Sequence, residues 1–157
     1  MQRIFLVFMV CLTVTGANAR AAGMTQGKFS SLSYERLQQL PPAIHKAFEA
    51  AQRLCTDDAI NVRTGYLRYI IGPRGEEFIA IHFDQFRCSN SQALCSPKGC
   101  LHRVFISRAG ALREVWRGNV FEIDMSIDSG VPSIDVNCSR DGLFCRHKMQ
   151  WDGKRFR

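Results

Sequence analysis

The sequence predicts an α+β domain: one N-terminal amphipathic helix packed on an antiparallel meander of six or seven strands, stapled by disulfides. Three observations lead there. In "LPPAIHKAFEAAQRLC" the apolar residues Ile44, Ala47, Phe48, Ala51 and Leu54 recur at helical spacing. After Thr56 the pattern alternates, with turn residues about every ten positions. Six cysteines, Cys55, Cys88, Cys95, Cys100, Cys138 and Cys145, lie beyond the apolar N-terminal stretch.

That stretch, "MQRIFLVFMVCLTVTGANARAAG", carries Arg3, an apolar run from Ile4 to about Val14, and the triplet Ala17-Asn18-Ala19. It reads as a secretory signal peptide over residues 1–19, cleaved after Ala19. The run is shorter than the roughly 18–20 residues that span a bilayer, and no later segment is longer. Cys11 follows Val10, where a lipid-acceptor cysteine prefers a small neighbour. Cleavage leaves about 138 residues, enough for one domain with a modest core. Residues 20–32 are small and polar and are expected to be a flexible lead-in, and residues 33–157 form the single α+β domain.

The helix is expected from Pro42 to Cys55, since tandem prolines suit a first helical turn, with a shorter helical turn in "SSLSYERLQQL". "TGYLRYIIGPRGEEFIAIHFDQF" reads as two strands around Gly72-Pro73-Arg74-Gly75. "CLHRVFISRAGALREVWRGNVFEIDMSID" reads as three, turning at Ala109-Gly110 and Gly118-Asn119. From Phe121 to Asp128 the alternation of a half-buried strand is clean. "VPSIDVNCSRDGLFCRHKMQW" supplies the last two strands, turning at Asp141-Gly142, and Asp152-Gly153 offers a closing turn.

An even number of cysteines in an exported domain points to disulfides. A two-residue turn at Asp141-Gly142 puts Cys138 opposite Cys145. Cys95 and Cys100 flank the turn "SPKG", which leaves Cys55 with Cys88. That last bridge closes a loop of about 34 residues and contributes roughly 3–4 kcal/mol in the chain-entropy model. Zinc and thioredoxin-like redox sites compete for these cysteines, but neither has its CxxC spacing here.

No short catalytic motif, phosphate-binding glycine loop or dinucleotide fingerprint occurs. The best catalytic candidates are His82 and Asp84 in "FIAIHFDQF", side by side on the polar face of a strand, as a general base and its orienting carboxylate. Glu122, Asp124 and Asp128 line another polar face, where two carboxylates on neighbouring strands could act as a glycosidase pair. His102 and His147 could converge with His82 on a metal, though no spacing requires it. "DVNCSRDG" falls short of a calcium loop, with Asn137 at its first position and Lys148 at its twelfth. Trp116 beside Arg113 and Arg117, and Trp151 beside Lys154 and Arg155, offer flat apolar surfaces within basic rims, suited to protein or glycan contact. For both tryptophans core packing is the competing role.

The helix ending in a cysteine, the "GC" before "LHRVFIS", the two-cysteine hairpin and the closing "WDGKRF" together resemble small exported alphaproteobacterial proteins of no established function. The resemblance spans most of residues 40–156 and implies a Gram-negative envelope location, periplasmic or secreted, without assigning site residues. The net charge of +7 favours anionic partners. The function expected is therefore a non-catalytic exported binding module of the bacterial envelope that recognises an envelope protein or anionic glycan. No nucleic acid, cofactor or metal is expected. The alternative is a small periplasmic hydrolase using His82 and Asp84 or an acidic pair.

Overall fold

The computed structural model describes residues 27–56, 60–108, 110–140 and 145–157. The expected signal peptide, its cleavage point and the turns at Asp141-Gly142 and Ala109 lie outside them.

In chain order the elements are strand β1 (Ser30–Ser31), helices α1 (Tyr34–Gln38) and α2 (Pro42–Leu54), and strands β2 (Asn61–Val62), β3 (Leu67–Ile71) and β4 (Glu77–His82). After a 3-10 turn at Phe83–Gln85 come β5 (Phe86–Arg87), a second such turn at Ser91–Ala93, and β6 (Cys95–Ser96). The remaining strands are β7 (Gly99–Arg108), β8 (Ala111–Val120), β9 (Glu122–Asp128), β10 (Val131–Asn137) and β11 (Arg146–Gln150).

The fold is mostly β, with 49% strand and 20% helix and, among the described residues, only one helix longer than two turns. This corrects the predicted α+β class with a single meander. The strands form three sheets: a small one in the order β1-β2-β5, a central one running β3-β4-β7-β8 with β6 also paired to β7, and a third in the order β9-β10-β11. The reason lies in β4. Its run Phe78, Ile79, Ala80, Ile81 and His82 is buried throughout, as a strand covered on both faces requires. Ile79 and Ile81 join a core with Ile44, Phe48 and Ala51 of α2. Phe78 and Ala80 point the other way, into a second core with Ile123 and Met125 of β9 and Ile134 and Val136 of β10. One helix covers one face of the central sheet, and a second sheet is recruited to cover the other.

Helix α2 starts at Pro42 as its proline pair predicts and buries the stripe Ile44, Ala47, Phe48 and Ala51. Leu54, at the frayed end, is 48% exposed. Ser33 caps α1 by accepting the Arg36 amide at 3.4 Å. Part of the expected lead-in is built into the fold: Ser30 and Ser31 pair with Val62 and Asn61, and Phe29 lies under the guanidiniums of Arg63 and Arg87.

The β3–β4 hairpin turns where predicted. The expected turn at Gly118-Asn119 does not exist, because β8 runs unbroken to Val120. A side chain on Gly118 would meet the Trp116 indole at 2.8 Å, so this glycine makes room for a ring within a strand. The chain leaves the central sheet only at Phe121, whose amide donates to the Asn137 carbonyl at 2.9 Å as β9 begins. All three predicted disulfides are present, Cys55–Cys88, Cys95–Cys100 and Cys138–Cys145, with Cα separations of 5.6, 3.9 and 5.2 Å. Among the described residues no helix is long and apolar enough to cross a membrane.

Candidate functional site

The β4–β7 register sets His82 directly opposite His102. Their rings meet edge to face with centroids 5.2 Å apart, on the same face of the central sheet as Phe78 and Val104. Immediately after β4, the 3-10 turn carries Asp84 back to them, so that donor atoms of His82, Asp84 and His102 all lie within 4.8 Å of one another. The turn also orients the carboxylate: the Gln85 amide donates to Asp84 Oδ2, and Arg63 Nε in turn donates to Gln85 Oε1.

His82 and His102 are only 4% and 0% exposed, which corrects the expectation of a solvent-facing pair. The second core covers the face that alternation marks as polar. His82 Nε2, Asp84 Oδ1 and both ring nitrogens of His102 are buried without a hydrogen bond of good geometry. Each such group costs about 1–3 kcal/mol. Burial, followed by the neighbouring His102 and Arg68, lowers the His82 pKa to about 3. Burial lowers that of His102 to about 4, against a small opposing pull from the Val120 backbone. For Asp84, burial raises the pKa while the Gln85 hydrogen bond and the charges of Arg63 and Arg68 restrain the rise. Both imidazoles are therefore neutral at neutral pH, with lone pairs free.

This arrangement sets a pH dependence. Between about pH 7 and 5 the unfolded chain takes up protons at histidines that titrate near 6.5, whereas the folded chain does not, so stability falls by about 2 kcal/mol per histidine. Asp84 works in the opposite sense, because burial makes its folded form the better proton acceptor. Urea unfolding of chelator-treated protein at both pH values should show the midpoint dropping in the wild type. The drop should be much smaller in the His82→Leu/His102→Leu variant, and equal slopes in the two proteins would refute this account.

The other expected sites fare differently. His147 is exposed on β11, its Nε2 3.6 Å from Cys145 Sγ, and groups with the bridged Cys138 and Cys145 rather than with His82. Asp124 is ion-paired to Arg68 at 3.0 Å and Asp128 to Lys148 at 2.6 Å. Two of the three acidic candidates, both on β9, are thus held by cations, from β3 and β11. Asp135 of the calcium-like stretch lies 3.7 Å from Arg146.

The two tryptophan clusters, far apart in sequence, come together. Arg113 of β8 donates to the Lys154 carbonyl at 3.1 Å. Asp152 accepts the backbone amides of Lys154 and Arg155 at 2.7 and 2.8 Å, and these two bonds above all lower its pKa to about 2. The "WDGKRF" turn is thereby fixed with Lys154 and Arg155 exposed. Trp116 and Trp151 are half-buried edges of the second core, Trp151 lying edge-on to Phe78 at 5.3 Å. Arg117 is exposed and ion-paired to Glu114 at 2.8 Å. A basic groove lined by Lys28, Arg36, Arg63, Tyr66 and Tyr69 escaped the sequence reading. Its parts come from the lead-in, α1, the β2–β3 connection and β3, and no local pattern links them.

Fold and site define a disulfide-stapled, mostly β domain with a buried histidine pair and a basic, tryptophan-edged surface. No family model matches the chain, and comparison with curated proteins and with solved structures returns no match.

Proposed function

We propose that this protein is a non-catalytic, exported binding module of the bacterial envelope that takes an anionic glycan or an acidic protein surface on the face formed by Arg113, Lys154 and Arg155 beside Trp116 and Trp151. The observation that carries this reading is the Arg113–Lys154 hydrogen bond, which merges two basic clusters into one surface. The Asp152 turn holds the cations in place before binding, which lowers the ordering cost of recognition. Export rests on the N-terminal leader and is supported by three disulfides, a pattern that persists in oxidising compartments. The hydrolase alternative is disfavoured in its His82 form because Nε2 is sealed from solvent, and in its acidic-pair form because Asp124 is already bound to Arg68 and Asp128 to Lys148.

Heparin, a soluble sulfated polysaccharide, is a suitable probe. The double variant Lys154→Glu/Arg155→Glu should bind it at least about tenfold more weakly at low salt, with the difference shrinking as ionic strength rises. Folding stability should change by less than about 0.5 kcal/mol, since both side chains are exposed. Unchanged heparin affinity in the double variant would refute this surface. The variant Arg36→Glu, in the groove beside α1, reports whether binding lies there instead.

A further inference from the structure

Few buried polar atoms in folded proteins lack a partner, yet four lie here in three neighbouring side chains, and one donor atom from each of the three lies within 4.8 Å of the other two. His82 Nε2, Asp84 Oδ1 and the two ring nitrogens of His102 are all buried without a hydrogen bond of good geometry, His102 having only a weak interaction with the Val120 backbone. A histidine pair kept only for packing would be better served by leucine, which fills similar space with no polar atom to desolvate. What the three side chains share is one atom each that can donate a lone pair to a cation: the unprotonated nitrogen of each neutral imidazole and a carboxylate oxygen of Asp84.

We propose that His82, His102 and Asp84 form a binding site for a divalent first-row transition ion of the zinc type. Two imidazoles and one carboxylate are a donor set such ions accept. For an equilateral triangle with 4.8 Å sides the centre lies about 2.8 Å from each donor, so shifts of under about 1 Å per side chain reach zinc bond lengths. The surroundings already hold the carboxylate as a ligand: Gln85 occupies Asp84 Oδ2 and Arg63 anchors Gln85, which leaves Oδ1 to face the histidines. Burial keeps both imidazoles in the neutral form that metals bind. Asp84 is the half-buried member of the set and marks the side from which an ion enters. Three protein ligands leave a fourth tetrahedral position for water or an exogenous donor.

The test uses the oxidised exported chain, stripped with a chelator and titrated with Zn2+ by calorimetry and thermal unfolding. The expected result is one ion per chain and a raised Tm, because an ion that binds only the folded state stabilises it. His102→Leu should abolish both effects while leaving the metal-free protein folded and at least as stable. Asp84→Asn, at a half-buried position, and Gln85→Leu, which leaves the carboxylate unanchored, should each weaken Zn2+ at least about tenfold. Should His102→Leu fail to fold, Asp84→Asn decides. Absence of Zn2+ uptake by the wild type at about 100 µM would overturn the proposal, as would undiminished affinity in Asp84→Asn, which would place the ion elsewhere. Neither outcome touches the heparin-binding surface, whose residues are separate.

Discussion

Replacing Cys55 and Cys88 together by alanine should lower the unfolding free energy by about 3–4 kcal/mol, more than the loss of either other bridge. The two cysteines are separated by 33 positions, whereas the other pairs are separated by 5 and 7. Loop-closure entropy then assigns only about 2 kcal/mol to each of the short ones. Cys55 is also fully buried at the end of α2, so its bridge fastens the helix to the segment after β5. Around it, Ser89 Oγ donates to the Cys55 carbonyl at 3.0 Å and Asn90 Nδ2 to that of Leu54 at 3.2 Å, which satisfies carbonyls at the helix end. Without the bridge these bonds and the buried stripe Ile44, Ala47, Phe48 and Ala51 are left to hold α2 over the central sheet. Urea titration of the wild type and the three double-alanine variants should therefore rank Cys55/Cys88 last. Hydrogen exchange should show the amides of α2 losing protection before those of β7. A loss below about 1 kcal/mol, or an equal loss in all three variants, would show that chain entropy is not what this bridge supplies.

Gly99→Ala should destabilise the protein by at least about 3 kcal/mol, a large effect for one methyl group. Gly99 has φ +118, and a Cβ there would lie 2.2 Å from the Val120 carbonyl carbon. The obstacle is backbone, so no rotamer change relieves it. It sits where β7 starts and β8 ends, next to the Cys95–Cys100 bridge and just before the chain crosses to the third sheet. Gly75→Ala is the control. That residue also has positive φ, +79, but nothing lies within 4 Å of its would-be Cβ, so only the conformational cost of about 1 kcal/mol remains. Thermal unfolding of both variants separates steric overlap from backbone preference: equal losses would mean that close approach to Val120 has no energetic weight.

Much of the local structure was legible in the residues. Helix α2, the β3–β4 hairpin, the β9–β10–β11 run and the two short disulfides follow from rules that act over a few positions: helical spacing, alternation, turn chemistry and facing cysteines; Cys55–Cys88, separated by 33 positions, follows only by elimination. Misreadings arose where a residue answers to something distant. Gly118 looks like a turn residue but makes room for Trp116. His82 and Asp84 look solvent-facing because alternation assigns them to a polar side, and only the arrival of β9 and β10 over Phe78 and Ala80 turns that side into a core. The buried run of β4 held the signal, since an uninterrupted apolar stretch marks a strand covered on both faces. Which element supplies the second cover is not a local property.

By itself, then, the sequence determined helix α2, the longer strands, the two short cross-links and the basic character of the chain, because each depends on neighbours along the backbone. Tertiary structure alone decided that the domain is layered and mostly β, that Arg113 meets Lys154, and that His82, His102 and Asp84 share one buried point. Those outcomes depend on strand register and sheet stacking, which join residues separated by tens of positions and leave no mark in any short window of sequence.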